Sequence, residues 1–233
     1  ADWTGATFDL AAGNDQLTLG AFINTVTLSN VETIVGGVSS DTVTLGTQVT
    51  GGTIDLAGGS DKLVLGAFAN TVTVSNIETV IGAANADEVV LAAAVTGGTI
   101  DLAGGTDQLT FNSAGATLTA ANVETVTGSA AVDVLTLGTL ANGATVDLAG
   151  GSDKLMLGNA INTVTVANAE TIVGGTTKDL VTLSGEVAGA TIDLGTGLDR
   201  LTFDATENTT VSVANVETIT GGAGDDLVTL TAA

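Results

Sequence analysis

The chain has 233 residues, with 26 acids against four bases and a net charge of −22. That balance excludes nucleic acid and anionic membrane surfaces, both of which call for basic patches. With no cysteine and no histidine it has no disulfide, no thiolate metal site and none of the commonest general base, while 44% apolar residues supply a core that a disordered acidic chain lacks.

Two landmarks organise the sequence. Asp-Leu begins at Asp9, Asp55, Asp101, Asp147 and Asp193, a constant spacing of 46. Between them NVET and its variants place Glu32, Glu78, Glu124, Glu170 and Glu217, 23 residues beyond the preceding aspartate in the first four cases. In chain order through one repeat, TIDL (53–56) predicts a short strand with Ile54 and Leu56 inward, followed by a glycine turn. KLVLG (62–66) then sets Leu63 and Leu65 on one face, and TVTVS (71–75) sets Val72 and Val74 inward with Thr71 and Thr73 outward. NIET (76–79) opens the next unit. The period is two throughout, and Gly, Asn and Asp break the strands. The pattern predicts an all-β protein: a parallel β-helix (β-solenoid) of about ten 23-residue coils in five 46-residue repeats. It forms one domain over 1–233, with repeats at approximately 7–52, 53–98, 99–144, 145–190 and 191–233.

Aligned by repeat, the acids form two columns. One holds the Asp-Leu aspartates and the NVET glutamates. The other holds Asp15, Asp41, Asp61, Asp87, Asp107, Asp133, Asp153, Asp179, Asp199 and Asp226, at alternating steps of 20 and 26 until the last. Carboxylates one strand spacing apart repel by ~1 kcal/mol in water and more under cover. Bound cations, raised pKa values or hydrogen-bonded turns relieve this, and all ten aspartates of the second column are candidate metal ligands. Asp15, Asp61, Asp107, Asp153 and Asp199 each lie two residues after a glycine: Gly13, Gly59, Gly105, Gly151 and Gly197. Carboxylates and carbonyls turned inward by such glycines suit Ca²⁺, whereas an Asp after a glycine turn also caps backbone N–H groups.

Gly221-Gly222-Ala223-Gly224-Asp225-Asp226-Leu227-Val228 matches the G-G-x-G-x-D-x-U repeat and resembles the RTX, or haemolysin-type calcium-binding, family of secreted bacterial proteins. The resemblance implies a metal role for Asp226, with Gly221, Gly222 and Gly224 shaping its loop, and calcium as the cofactor. GGVSSDTV (36–43) and GGTTKDLV (174–181) depart from the motif by lacking its third glycine.

The ends share a phase. Ala1-Asp2 and Ala232-Ala233 fall at the same place in the repeat, and Trp3, Thr4 and Gly5 supply the strand that would follow Thr231, Ala232 and Ala233. These six residues, Ala1 and Asp2 apart, are a candidate interface for head-to-tail stacking of the chain on itself. The reading that follows is a non-enzymatic structural protein, secreted or on the bacterial cell surface: a filament, surface layer or adhesin stalk. The alternative is a ligand-binding solenoid, such as an ice-binding protein using outward Thr-x-Thr triplets at 25–27, 71–73, 117–119 and 163–165.

Overall fold

Alternation of threonine with valine, leucine or isoleucine gives strands with one apolar face, and 25 such strands make up the regular structure of the described residues. This computed structural model describes residues 2–111, 115–203 and 206–232. Ala1–Ser113 and Ala114–Ala233 are two compact units, each a parallel β-solenoid, the fold class expected from the sequence.

In the first unit, successive strands fall alternately into two sheets. One runs Thr4–Asp9, Thr25–Ser29, Thr42–Leu45, Lys62–Val64, Thr79–Ile81 and Val95–Asp101. The other runs Gln16–Thr18, Thr33–Val35, Thr50–Asp55, Thr71–Ser75, Glu88–Leu91 and Gln108–Phe111. The second unit repeats the scheme from Ala116–Ala121 to Asp226–Leu230.

The coils differ from the sequence reading in length. Thr25 lies beside Thr42 and Thr42 beside Lys62, so stacked partners are mostly 17 or 20 residues apart, and at most 22, rather than 23. The reason is that each 46-residue repeat carries five strands, hence two and a half coils. Five is odd, so equivalent strands change sheet from one repeat to the next. Thr4–Asp9 lies in one sheet, Thr50–Asp55 in the other and Val95–Asp101 in the first again. Asn142–Asp147 and Val187–Asp193 alternate likewise in the second unit.

Inward positions form the core. Leu56 and Leu102 of the first unit, and Leu148 and Leu194 of the second, are fully buried just after the Asp-Leu aspartates. Those aspartates stand at the sheet surface and cap turns: Asp55 Oδ1 accepts from the Ala57 N–H at 3.0 Å and from Asn76 Nδ2 at 2.7 Å. Asn76 has φ 52° and Ala57 φ 66°, a left-handed geometry that Asn tolerates and Ala does not favour. Upstream, a bulge between Thr50 and Gly52 puts Gly51 at φ 71°, where an added Cβ would meet open space. The bulge lets the chain enter the strand without losing register.

Candidate functional site

The residue preceding each strand is the outermost inward-facing position, at the edge of the core. Acids and amides fill many of these positions, and those of the ladders described next reach back to a backbone N–H one coil earlier. Along one edge of the first unit, Asn24 Oδ1 accepts from the Trp3 N–H at 3.4 Å, and Asp41 Oδ1 accepts from both the backbone N–H and the Nδ2 of Asn24, at 2.9 Å each. Asp61 Oδ1 accepts from the Asp41 N–H at 2.7 Å, and Glu78 Oε2 from the Asp61 N–H at 2.7 Å. The opposite edge carries the same order displaced by one repeat: Asn70 accepts from Val49, Asp87 from Asn70, and Asp107 from Asp87.

The second unit repeats the ladder twice. Asp133, Asp153 and Glu170 accept from the N–H groups of Ala116, Asp133 and Asp153, each at 2.7 Å. Asp179, Asp199 and Glu217 accept from those of Asn162, Asp179 and Asp199, the last two at 2.7 Å. Asn162, fully buried, also ties Asp179 and the carbonyls of Gly158 and Ala160 with its Nδ2.

Of the aspartates expected to bind metal, Asp41, Asp61, Asp87, Asp107, Asp133, Asp153, Asp179 and Asp199 are no more than 2% exposed. Asp15 is half-buried and donates its backbone N–H to Glu32 Oε2 at 2.9 Å. Asp226 is exposed and caps its own loop, Oδ2 accepting from the Gly222 N–H at 3.0 Å. Stacked carboxylates lie one coil apart, and no three acidic side chains converge on a common point among the described residues. What the structure brings together is therefore not a cage but a file of carboxylates, most with one oxygen on a backbone N–H.

Within that file the environments differ. Asp41 holds three donors, because Oδ2 also accepts from the Gly37 N–H at 3.3 Å. Asp61 has one donor, and its Oδ2 is buried without a partner, as are Oδ2 of Asp153 and Asp199. Burial pushes Asp61 up to about 6 against the pull of the Asp41 N–H, and the charges of Glu78 and Asp41 raise it further. Burial, with Asp133 and Glu170 or Asp179 and Glu217 as neighbours, raises Asp153 and Asp199 too.

The loop glycines have a packing role. A Cβ on Gly151 would lie 2.6 Å from both the Ala131 carbonyl and Asp153 Oδ1, and one on Gly105 would lie 2.8 Å from Asp107 Oδ1. On Gly59 it would meet the Ser40 backbone, on Gly221 the Asp226 carboxylate and on Gly224 the Glu207 carbonyl. Gly222 contributes its N–H.

Sequence reasoning missed the asparagines. Asn24, Asn70 and Asn162 are among the most buried polar residues, and the signal was their position 17 residues before Asp41, Asp87 and Asp179. It also missed the longest threonine column, because the coil is not 23 residues. In the second unit Thr125, Thr145, Thr165, Thr182, Thr202 and Thr220 stack without interruption on an outward face. The neighbouring column reads Thr163, Leu180, Arg200, Thr218.

At the candidate assembly residues, Trp3 is 51% exposed, with its ring edge-on to Phe8 at 5.5 Å. Thr4 and Gly5 begin the first strand, Thr231 donates its N–H to the Val213 carbonyl, Ala232 is exposed, and Ala233 lies outside the described residues. Leu10 is 37% and Leu230 75% exposed, while their equivalents Leu56 and Leu183 are 0% and 3%. No family model matches the chain, and no curated protein is similar to it.

Proposed function

We propose that the chain is a structural solenoid of the bacterial cell exterior, a building block that stacks head-to-tail on copies of itself in a filament, surface layer or stalk. One observation carries this reading: the two end coils are complementary in register. Inside the first unit Thr33 pairs Thr53 and Thr42 pairs Lys62. By repeat position, Thr218 and Leu227 of the last coil are the equivalents of Thr33 and Thr42, and Thr7 and Gln16 of the first coil are the equivalents of Thr53 and Lys62. A second copy therefore sets its Thr7, Phe8 and Asp9 beside Thr218, Ile219 and Thr220, and its Leu17 over Val228. The contact covers Leu10 and Leu230, each leucine contributing about 1.5–3 kcal/mol on full burial. Parallel edges left open on both sides join in this way without closing a ring.

The test is negative-stain microscopy and sedimentation of the chain, in millimolar Ca²⁺ and again in EGTA. End-to-end polymers are expected, with Leu230→Lys and Trp3→Lys remaining folded single copies. Loss in EGTA assigns calcium to the assembly, in line with the RTX-like loop at 221–228. Single copies under both conditions, or normal polymers from Leu230→Lys, refute the stacking.

A second reading draws on the six-threonine column: an ice-binding face, which predicts thermal hysteresis that Thr182→Lys abolishes.

A further inference from the structure

We propose that the first unit binds a small organic ammonium compound in a groove on its surface, with Glu88 as the group that holds the charge. The groove uses none of the residues of the stacking contact, so the inference stands apart from it.

Four successive passes of the chain, at 48–50, 69–71, 86–88 and 106–108, line a cavity of about 270 Å³. The first residues of these passes, Ala69 and Ala86 among them, form one side. The third residues form the other, an outward column in which Glu88 pairs with Thr71 on one flank and with Gln108 on the other. Neighbouring strands lie ~4.8 Å apart, so the Thr71 hydroxyl, the Glu88 carboxylate and the Gln108 amide reach one bound group. Gln48 spans to the second pass, its Nε2 donating to the Ala69 carbonyl at 2.7 Å.

Equivalent positions elsewhere show why the groove is here. Three ladders carry a buried asparagine, at Asn24, Asn70 and Asn162. In the other two, Ile23 and Ile161 stand where this one has Ala69, and they are 60% and 57% exposed. Thr42 and Leu180 stand in place of Glu88, and Lys62 and Arg200 in place of Gln108. Alanine for isoleucine empties the groove, and the same stretch gains an acid where it loses a base.

The donor set selects the ligand. Among the described residues no lysine or arginine lines the cavity, and Glu88 is its one exposed carboxylate. A calcium ion takes roughly six to eight oxygens, several of them from carboxylates. A primary ammonium instead presents three N–H donors, which Thr71, Glu88 and Gln108 match with three acceptors. The field of a chain with net charge −22 concentrates cations near its surface. Ala69 and Ala86 give the carbon body of the ligand an apolar surface. The volume falls below the ~300 Å³ at which pockets for larger ligands begin, which limits that body to one small ring or a short chain.

The test is an NMR titration of the ¹⁵N-labelled 233-residue chain in EGTA with glucosamine, with putrescine and with glucose. Glucosamine, putrescine or both should shift the amides of Thr71, Glu88 and Gln108 saturably, in the millimolar range. Binding of glucosamine alone assigns an amino sugar, and binding of putrescine assigns a small amine. Glucose, with a hydroxyl where glucosamine has its ammonium, should leave these amides unmoved. Glu88→Gln should weaken binding about tenfold or more, whereas Glu186→Gln, at an exposed acid elsewhere, should not. Ala69→Ile, which restores the side chain of the equivalent positions, should abolish binding at an unchanged melting point. If that variant does not fold, Ala86→Lys replaces it, since the Asn162 ladder has Lys178 there. Glucose binding as tightly as glucosamine overturns the proposal, as does full affinity in Glu88→Gln or in the filled groove. The absence of a saturable shift at these three amides with either amine overturns it too.

Discussion

Replacing Asn70 with Ala isolates the amide rung of a ladder. Asn70 is 1% exposed; its Oδ1 accepts from the Val49 N–H at 3.0 Å, and its Nδ2 donates to Phe68 O at 2.8 Å and to Asp87 Oδ1 at 3.0 Å. Alanine leaves the Val49 N–H with no acceptor and strips Asp87 of one donor, while the Phe68 carbonyl sits in a loop that water reaches. A buried group left without its partner costs about 1–3 kcal/mol, so the rehydrated carbonyl adds little and the sum is about 3 kcal/mol. For a chain of this size that corresponds to a melting point lower by roughly 6–12 °C. Hydrogen exchange is the sharper assay, because a solenoid is stabilised coil against coil. Protection should fall at Val49 and at the amides of Thr71–Ser75 before it falls elsewhere. Asn70→Asp should be worse than Asn70→Ala at pH 7 and recover towards it in acid, since it sets a second carboxylate against Asp87 Oδ1. A loss below 1 kcal/mol for Asn70→Ala, with Val49 still protected, would show that the ladder does not carry the edge.

Ala57→Gly and Ala149→Gly should each stabilise by about 0.5 kcal/mol, because both alanines sit at φ 66°, where the last repeat already has Gly195 at φ 78°; urea midpoints measure this. Gly151→Ala should destabilise by about 3 kcal/mol through its 2.6 Å approaches, while Gly150→Ala, with nothing within 4 Å, stays within about 1 kcal/mol in the same assay. Asp9 behaves oppositely to Asp61, Asp153 and Asp199: the Ala11 N–H and Asn30 Nδ2 hold its carboxyl below the ordinary value. The support it gives is present above that value and lost as pH falls through the lower folded one. The Ala11 amide should thus lose its hydrogen-bonded NMR shift only in strong acid.

The fold class and the inward positions were legible, because a period of two and a repeat of 46 are visible without knowing how coils stack. The column that joined the Asp-Leu aspartates to the NVET glutamates is not one, since Asp55 stacks beside Val35 and Ser75. The stacking was not, since a 46-residue repeat divides evenly into two coils of 23 as readily as into five strands. The aspartate steps held the answer. The 20-residue step from Asp41 to Asp61 is a true coil, with the N–H of one bonded to the carboxylate of the other. The 26-residue step from Asp61 to Asp87 is not, because it carries the chain to the opposite edge. The asparagine rung stayed hidden for the same reason, standing 17 residues before its aspartate.

Two deletions separate these geometries. Removing 53–98 joins Gly52 to Thr99 and restores TGGTIDL, with every later strand in the opposite sheet beside partners equivalent to its own. Removing 53–75 is what a 23-residue coil would tolerate. It instead joins Gly52 to Asn76 and brings Thr79 to the position of Leu56, which is 0% exposed, and turns Val80 outward. Burying a threonine hydroxyl in place of a leucine that fills the core costs about 3 kcal/mol or more at that position alone, and the ladder from Asn24 to Glu78 loses its last two rungs. The 46-residue deletion should therefore unfold cooperatively, with a circular dichroism spectrum and melting point close to those of the full chain, and the 23-residue deletion should melt far lower or not fold. Equal tolerance of both would mean that coils can slip against one another, and the half-turn per repeat would then not be what fixes the register.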